Sequence, residues 1–254
     1  MNWRAIGSLT QREVLRFVRQ RSRWIGSLAT PLVFWALMGG GLRDSFQDPS
    51  GMSQNFSEFF FPGIVVLSVL FAAIFSTLSV IEDRHQGFLQ SVLVSPVSRS
   101  SIVASKILGG ALMGLLPGTL LLCLAPWTMS HVSVAGILMA LPLLFWMAAS
   151  LTAVSFFFAW KIDSVQGFHG VMNLLLMPLW LLSGSVFPLE GSHPVFRWIG
   201  QWNPLAWGVS SLRHSLSFAQ WSSTYVLAVF SFVVASLALG WGATWLVRKS
   251  QTPL

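Results

Sequence analysis

Apolar runs of about twenty residues recur along this chain, and no other feature constrains its fold as strongly. A helix of that length crosses the roughly 30 Å hydrocarbon core of a bilayer. Six runs are read, at about 24–42, 59–81, 102–129, 134–160, 167–186 and 224–247. Inside hydrocarbon every backbone N–H and C=O needs a partner, and the runs lack the alternating period of barrel strands, so each is predicted to be a helix. Charged residues make up only 9% of the chain, against about a quarter in an ordinary soluble domain. The expected class is an all-α membrane protein with six transmembrane helices, a single transmembrane domain over residues 1–254.

The formal net charge of +7 would suit nucleic acid if the basic residues formed one patch. They cluster instead at the ends of the apolar runs, and no nucleic-acid partner is expected. Twelve of the fifteen Lys and Arg residues fall on one side of the predicted membrane. They are the six arginines before the first run, then Arg84, Arg99, Lys106, Lys161, Arg248 and Lys249. Arg43, Arg197 and Arg213 fall on the other. The positive-inside rule then places both termini and the 82–106 loop in the cytoplasm. The first twenty-three residues are Arg-rich without a continuous apolar core, so they are not read as a cleavable leader. At about 100° per residue, Trp3, Ile6, Val14, Phe17 and Val18 share one face, opposite Arg4, Arg12, Arg16, Arg19 and Arg23. Residues 1–23 are therefore expected to lie in the interface as a helix, apolar side among acyl chains and arginines among headgroups.

Several chemistries are missing. No Asp, Glu, Lys or Arg is read at membrane depth, where ion-coupled carriers and proton relays need them; Arg99 and Lys106 are taken as headgroup-level anchors of the third run. Cys123 is the only cysteine and lies in an apolar run, which excludes a disulfide framework within the chain. The histidines at 85, 131, 169, 193 and 214 have no metal-ligand spacing. There is no G-x-x-x-x-G-K-[ST] motif, and the dipeptide Gly-Lys does not occur. If nucleotide hydrolysis drives this protein, the ATPase is a separate chain that must grip it.

A grip is offered by residues 82–106, EDRHQGFLQSVLVSPVSRSSIVASK, between the second and third runs. Phe88, Leu89, Val92 and Leu93 form one apolar stripe on a short helix, with Gly87 just before it and Pro96 just after. Pro96 disfavours helical geometry at Ser95 and should end the segment. Ser98 or Ser100 can cap the helix that follows. The stripe could face a partner protein or lie flat on the membrane.

The pattern E-D-R-x-x-G-F-L-x-x-x-L-V-S-P-V-S-R, followed by Ser105-Lys106-Ile107-Leu108-Gly109-Gly110, closely resembles the cytoplasmic signature of type-2 ABC exporter permeases. Leu182 to Leu189 (LSGSVFPL) and Asn203-Pro204-Leu205-Ala206-Trp207 with Arg213 resemble that family's segment after the fifth span. The resemblance covers essentially the whole chain and is greatest to the drug-resistance and nodulation-factor branch. It implies that residues 82–101 form a coupling helix seated on a separate nucleotide-binding ATPase subunit. Glu82, Arg84, Gly87, Phe88, Leu89, Val92, Leu93 and Pro96 would carry the coupling, with Glu82 stabilising the hinge. Phe88 stands where the family often has Thr and would enlarge the apolar contact. ATP and Mg would belong to the partner, with no cofactor on this chain.

Residues 187–222 are too polar to span, yet hold Trp198, Trp202, Trp207 and Trp221, which suit a membrane interface. Pro188, Pro194 and Pro204 divide the segment. Two half-helices that dip into the outer leaflet and turn near Gly200 to Pro204 are expected. The resemblance implies an extracellular gate there, involving Asn203, Pro204 and Arg213. It also implies a second copy of the chain, with the transport path between copies. Spans 2 and 5 would line it, with Phe71, Phe75, Ser76, Thr77, Asn173 and Met177 as candidates. In the third run Gly110, Gly114 and Gly118 recur every fourth residue, a pattern for close helix packing.

The resulting expectation is the transmembrane subunit of an ATP-driven exporter in a bacterial plasma membrane, surrounded by lipid and moving an amphipathic small molecule, lipid or glycoconjugate outward. Two other readings stay open at this point. One is a lipid-modifying membrane enzyme, for which Glu190 with His193 is the nearest acid–histidine pair. The other is a non-transporting sensory or assembly subunit.

Overall fold

Asn2 opens the fold: its side chain accepts from the N–H groups of Arg4 and Ala5 and starts a helix, α1 (Trp3–Arg19). The computed structural model describes residues 2–42, 55–130, 132–218 and 223–249; Arg43, His131 and Trp221 lie outside them. The chain continues as α2 (Arg21–Gly41), α3 (Phe56–His85), α4 (Phe88–Val94), α5 (Arg99–Leu122) and α6 (Ala125–Thr128). Then follow α7 (Val134–Lys161), α8 (Val165–Trp180), α9 (Pro194–Trp202), α10 (Pro204–Phe218) and α11 (Ser223–Lys249). A π-helical turn, Leu181–Ser185, extends α8 and bends at Gly184, whose φ of 76° lies in the left-handed region that favours glycine. Among the described residues there is no strand.

Six helices are long and apolar enough to cross a membrane: α2, α3, α5, α7, α8 with its π turn, and α11. They match the six runs, with shifted edges. The second run extends in both directions to Phe56 and His85, and the third is broken at Cys123–Leu124 into α5 and the short α6. The polar ends of α3 continue the helix because side chains from other elements satisfy them.

α3 forms the axis of the bundle. It is almost wholly enclosed, whereas α2, α8 and α11 leave most of their surface uncovered. The small residues of α5 allow this enclosure. A Cβ at Gly110 would collide with Thr152 and Ser76, and one at Gly114 would lie 2.7 Å from Ala148. The glycine row is thus the seam along which α3, α5 and α7 meet. Trp180 is fully buried and its Nε1 donates to the carbonyl of Gly63 at 2.8 Å, fixing α8 to α3. Tyr225 Oη donates to Met139 O at 2.6 Å, and Ser150 Oγ to Phe232 O at 2.7 Å, fixing α11 to α7.

The N-terminal helix departs from its expected setting. It ends at Arg19, and the backbone turn at Gln20 passes Arg21 and Arg23 to α2. Ile6 and Phe17 are buried in protein, whereas Trp3 and Val18 remain exposed. α1 therefore packs its apolar stripe along α5 instead of giving it wholly to lipid.

Candidate docking site

The short helix α4 is shaped by local chemistry. Gly87 has φ 73°, a left-handed conformation that reverses the chain at the end of α3. At the other end Ser95 is extended, φ −73° and ψ 158°, as required before Pro96. Ser98 Oγ then accepts from Ser101 N at 3.3 Å and caps α5.

Behind α4 lies a buried ion network that joins four helices. Asp83 accepts from Arg12 Nη2 at 3.0 Å, Arg16 Nη1 at 2.6 Å and Lys106 Nζ at 2.7 Å. Glu13 accepts from Arg12 Nη1 at 2.8 Å, Lys106 Nζ at 2.9 Å and Ser79 Oγ at 2.8 Å. Glu82 accepts from Arg16 Nη2 at 2.7 Å and from Arg23. The side chains of Asp83, Glu13 and Lys106 are only 1%, 3% and 9% exposed. Charges so deeply placed require several partners each, because desolvation is not offset by one contact. Burial alone would lower the Arg12 pKa; the hydrogen bond and charge of Asp83, with the charge of Glu13, outweigh it and raise the pKa above the ordinary value.

Arg84 faces the other way and grips the end of α7. It donates to the carbonyls of Trp160 at 2.6 Å and of Ala159 and Ile162 at 3.3 Å, and to Asp163 Oδ1 at 2.5 Å. These are the open carbonyls of a helix C-terminus, where a cation is favoured. His85 Nε2 donates to Asp163 O at 2.7 Å. Arg99 caps α11 in the same manner, 3.0 Å from Val247 O and 2.8 Å from Arg248 O. The loop is thus fastened to α1, α2, α5, α7 and α11.

Two expectations need correction here. Lys106 is not a headgroup anchor, since its amine is turned inward onto Glu13 and Asp83. The apolar stripe of α4 does not face outward. Leu89 is buried, Phe88, Val92 and Leu93 are half-buried, and the Arg12 guanidinium lies 3.6 Å over the Phe88 ring. The stripe covers the ion network. The outward face consists of Gln90, Ser91, Val94 and Pro96, with Val94 86% exposed. Glu13, Arg12, Arg16, Arg23 and Asp83 were missing from the candidate set, although a lone acid on an Arg-rich helix was a visible signal.

The path candidates do not share a face. Phe71 and Phe75 stack at 6.1 Å and are half-buried, with His169 5.9 Å from Phe75. On α8, Asn173 is exposed and Met177 half-buried. Ser76 and Thr77 are buried and donate to their own helix carbonyls, at 2.9 Å to Ala73 and Ile74 respectively. They stand about 100° and 200° round α3 from Phe75, inside the bundle, and so drop out as lining residues.

At the opposite end of the bundle, the break between α9 and α10 falls at Asn203, as expected. Asn203 is buried; its Nδ2 donates to Leu179 O at 2.6 Å and its Oδ1 caps α10 through Leu205 N at 3.0 Å. Pro204 is the exposed first residue of α10. Arg213 donates to Phe59 O and Gly184 O, both at 3.1 Å, and lies 4.0 Å over the Phe59 ring. A cavity of about 520 Å³ beside it is bordered by Leu189, Arg197, Trp207 and Arg213. Trp198 and Trp202 are largely exposed, 64% and 71%.

A bundle of six membrane-length helices defines an all-α integral membrane protein. Residues 4–217 match the family model described as "ABC-2 type transporter". The chain belongs to the ABC-2 type transporter family and is a membrane-spanning transporter subunit, which implies partnership with an ATPase subunit. It is 27% identical over 222 residues to the inner membrane transport permease YadH of Escherichia coli K12, covering 84% of this chain and 82% of that one. It is 25% identical to the putative transport permease ycf38 of Cyanophora paradoxa, covering 88% and 79%. Nodulation protein J of Rhizobium leguminosarum bv. viciae is 24% identical, with 76% and 74% covered.

Proposed function

We infer that this chain is the permease of an ATP-driven exporter, working as two copies with two separate ATPase subunits that dock on the outward face of α4. The observation that carries the reading is the mounting of α4. A seven-residue helix projects from the strongly basic end of the bundle, is fastened through Glu82, Asp83 and Arg84 to α1, α2, α5 and α7, and leaves Val94 uncovered. A rigidly mounted projection transmits a push, whereas a slack loop would absorb it. Closure of the ATPase pair on ATP would displace α4, and the ion network would pass that displacement to α1, α2 and α5. Gln90, Ser91, Val94 and Pro96 are the proposed contact, with Phe88, Leu89, Val92 and Leu93 supporting them from beneath.

The path would lie between the two copies beside α3 and α8, along the half-buried Phe71 and Phe75 of α3 and the exposed Asn173 and half-buried Met177 of α8. Their mixture of aromatic and small polar groups suits an amphipathic small molecule, lipid or glycoconjugate. Asn203, Pro204 and Arg213 would hold the external half-helices that gate it. The distribution of arginine supports a cytoplasmic position for both termini. A bacterial inner membrane fits the printed description of the Escherichia coli relative.

Co-purification tests the reading. Tagged permease should capture its ATPase subunit, Val94→Asp should lower the captured amount about tenfold, and Phe88→Asp should lower it less because residue 88 faces Arg12. If capture is indifferent to Val94→Asp, docking lies elsewhere.

A further inference from the structure

The lateral surface bounded by α1, α5, α7 and α11 carries two apolar troughs, of about 400 Å³ and 490 Å³. Ile6, Leu108 and Phe145 border both, so the two troughs adjoin there. The first follows α5 from Ser100 to Leu108 and α11 from Thr244 back to Ser236. Eight residues of helix rise about 12 Å, close to the depth of one leaflet of a roughly 30 Å core. The second passes under α1 beside Val14 and Leu112. At the mouth of the first trough the lining changes character: Ser100 and Thr244 are polar, and Trp3 and Trp241 stand 71% and 76% exposed. Tryptophans at such a level mark the boundary between acyl chains and headgroups. Basic residues flank the same mouth. Arg4 follows Trp3 and is exposed, and the exposed Arg248 and Lys249 lie about one turn beyond Thr244.

The geometry points to a bound anionic glycerophospholipid, its two acyl chains lying in the paired troughs and its phosphate among Arg4, Arg248 and Lys249. Two adjoining apolar troughs close to one cationic mouth suit a two-chain lipid, whereas a single protein helix would need one broad groove. None of the proposed path or docking residues lines either trough, so this inference does not depend on the transport path or on where the ATPase docks. Such a lipid would wedge α1 against α5 and α11, the same α1 that supplies Glu13, Arg12 and Arg16 to the ion network.

Native mass spectrometry of the full-length chain, released from micelles supplemented with phosphatidylglycerol or phosphatidylethanolamine, tests this directly. One phosphatidylglycerol retained per chain is expected, at least fivefold more abundant than phosphatidylethanolamine. A triple variant Arg4→Ser, Arg248→Ser, Lys249→Ser changes only exposed positions and should abolish that preference. Ala104→Trp, which fills the first trough, should reduce retention of either lipid. Equal retention of the two lipids by the native chain, or unchanged phosphatidylglycerol retention in either variant, would overturn the assignment. So would a dimer in the same spectra that disappears on Ala104→Trp, since a second copy would then be what covers the troughs.

Discussion

Lys106 serves two acids at once. Its Nζ lies 2.9 Å from Glu13 Oε1 and 2.7 Å from Asp83 Oδ2, with all three side chains nearly sealed from the surroundings. Lys106→Met leaves both carboxylates short of positive charge, and breaking a buried pair in this way costs about 3–5 kcal/mol. The variant should melt several degrees lower in detergent, and adding Glu13→Gln should recover part of the loss because the two sites couple. Gly87 bears a different constraint. Gly87→Ala places a Cβ at φ 73°, at a cost of about 1–2 kcal/mol. The strain falls on the α3–α4 turn, so limited proteolysis should cut faster around residues 87–98 while the melting temperature changes little. Gly87, Pro96 and Ser98 were legible in sequence because their effects are local. The Lys106–Glu13 bond was not, since its partners are 93 residues apart and each charge alone looks like a headgroup anchor. The clue was the position of Lys106, about two turns inside α5.

At the scale of elements, amphipathicity reveals that a helix has a buried side without saying what buries it. The stripe of α4 and that of α1 were both correct as stripes. Each turns its centre onto the chain's own bundle: Leu89 is 3% exposed and Phe17 2%, while Trp3 and Val18 of α1 stay uncovered. The cause is the ion network, which needs an apolar cover on its outer side, and Phe88 beneath the Arg12 guanidinium supplies it. The proposed docking face is consequently the polar side of α4 with Val94 at its end. The α3–α5–α7 seam was easier to foresee, because a glycine every fourth residue implies close approach whatever the partner. Gly110→Leu should drive Thr152 and Ser76 apart and cost about 1–3 kcal/mol as overpacking, read as reduced yield of folded protein by size-exclusion chromatography.

For the whole molecule, the number and order of membrane helices followed from hydrophobicity alone, since crossing hydrocarbon is a property of each segment by itself. Which faces remain open after packing is a property of the assembled bundle. Ser76 and Thr77 were for that reason misplaced on the path, while Phe71, Phe75 and Asn173 stayed accessible. The two ends of the bundle differ in the same global way. One collects most of the arginines, α4 and the ion network; the other holds α9, α10 and the Arg213 contacts. The proposed function requires an ATPase at the first end. The most direct test labels Val94→Cys with a photoreactive benzophenone in a chain whose exposed Cys123 is changed to Ser, in membranes that contain the ATPase subunit. Trp127→Cys, an 81% exposed site at the opposite end, serves as the comparison. Illumination should join the ATPase subunit to position 94 and leave position 127 unlinked; an ATPase subunit that co-purifies but is captured from 127, or from neither position, would contradict docking at α4.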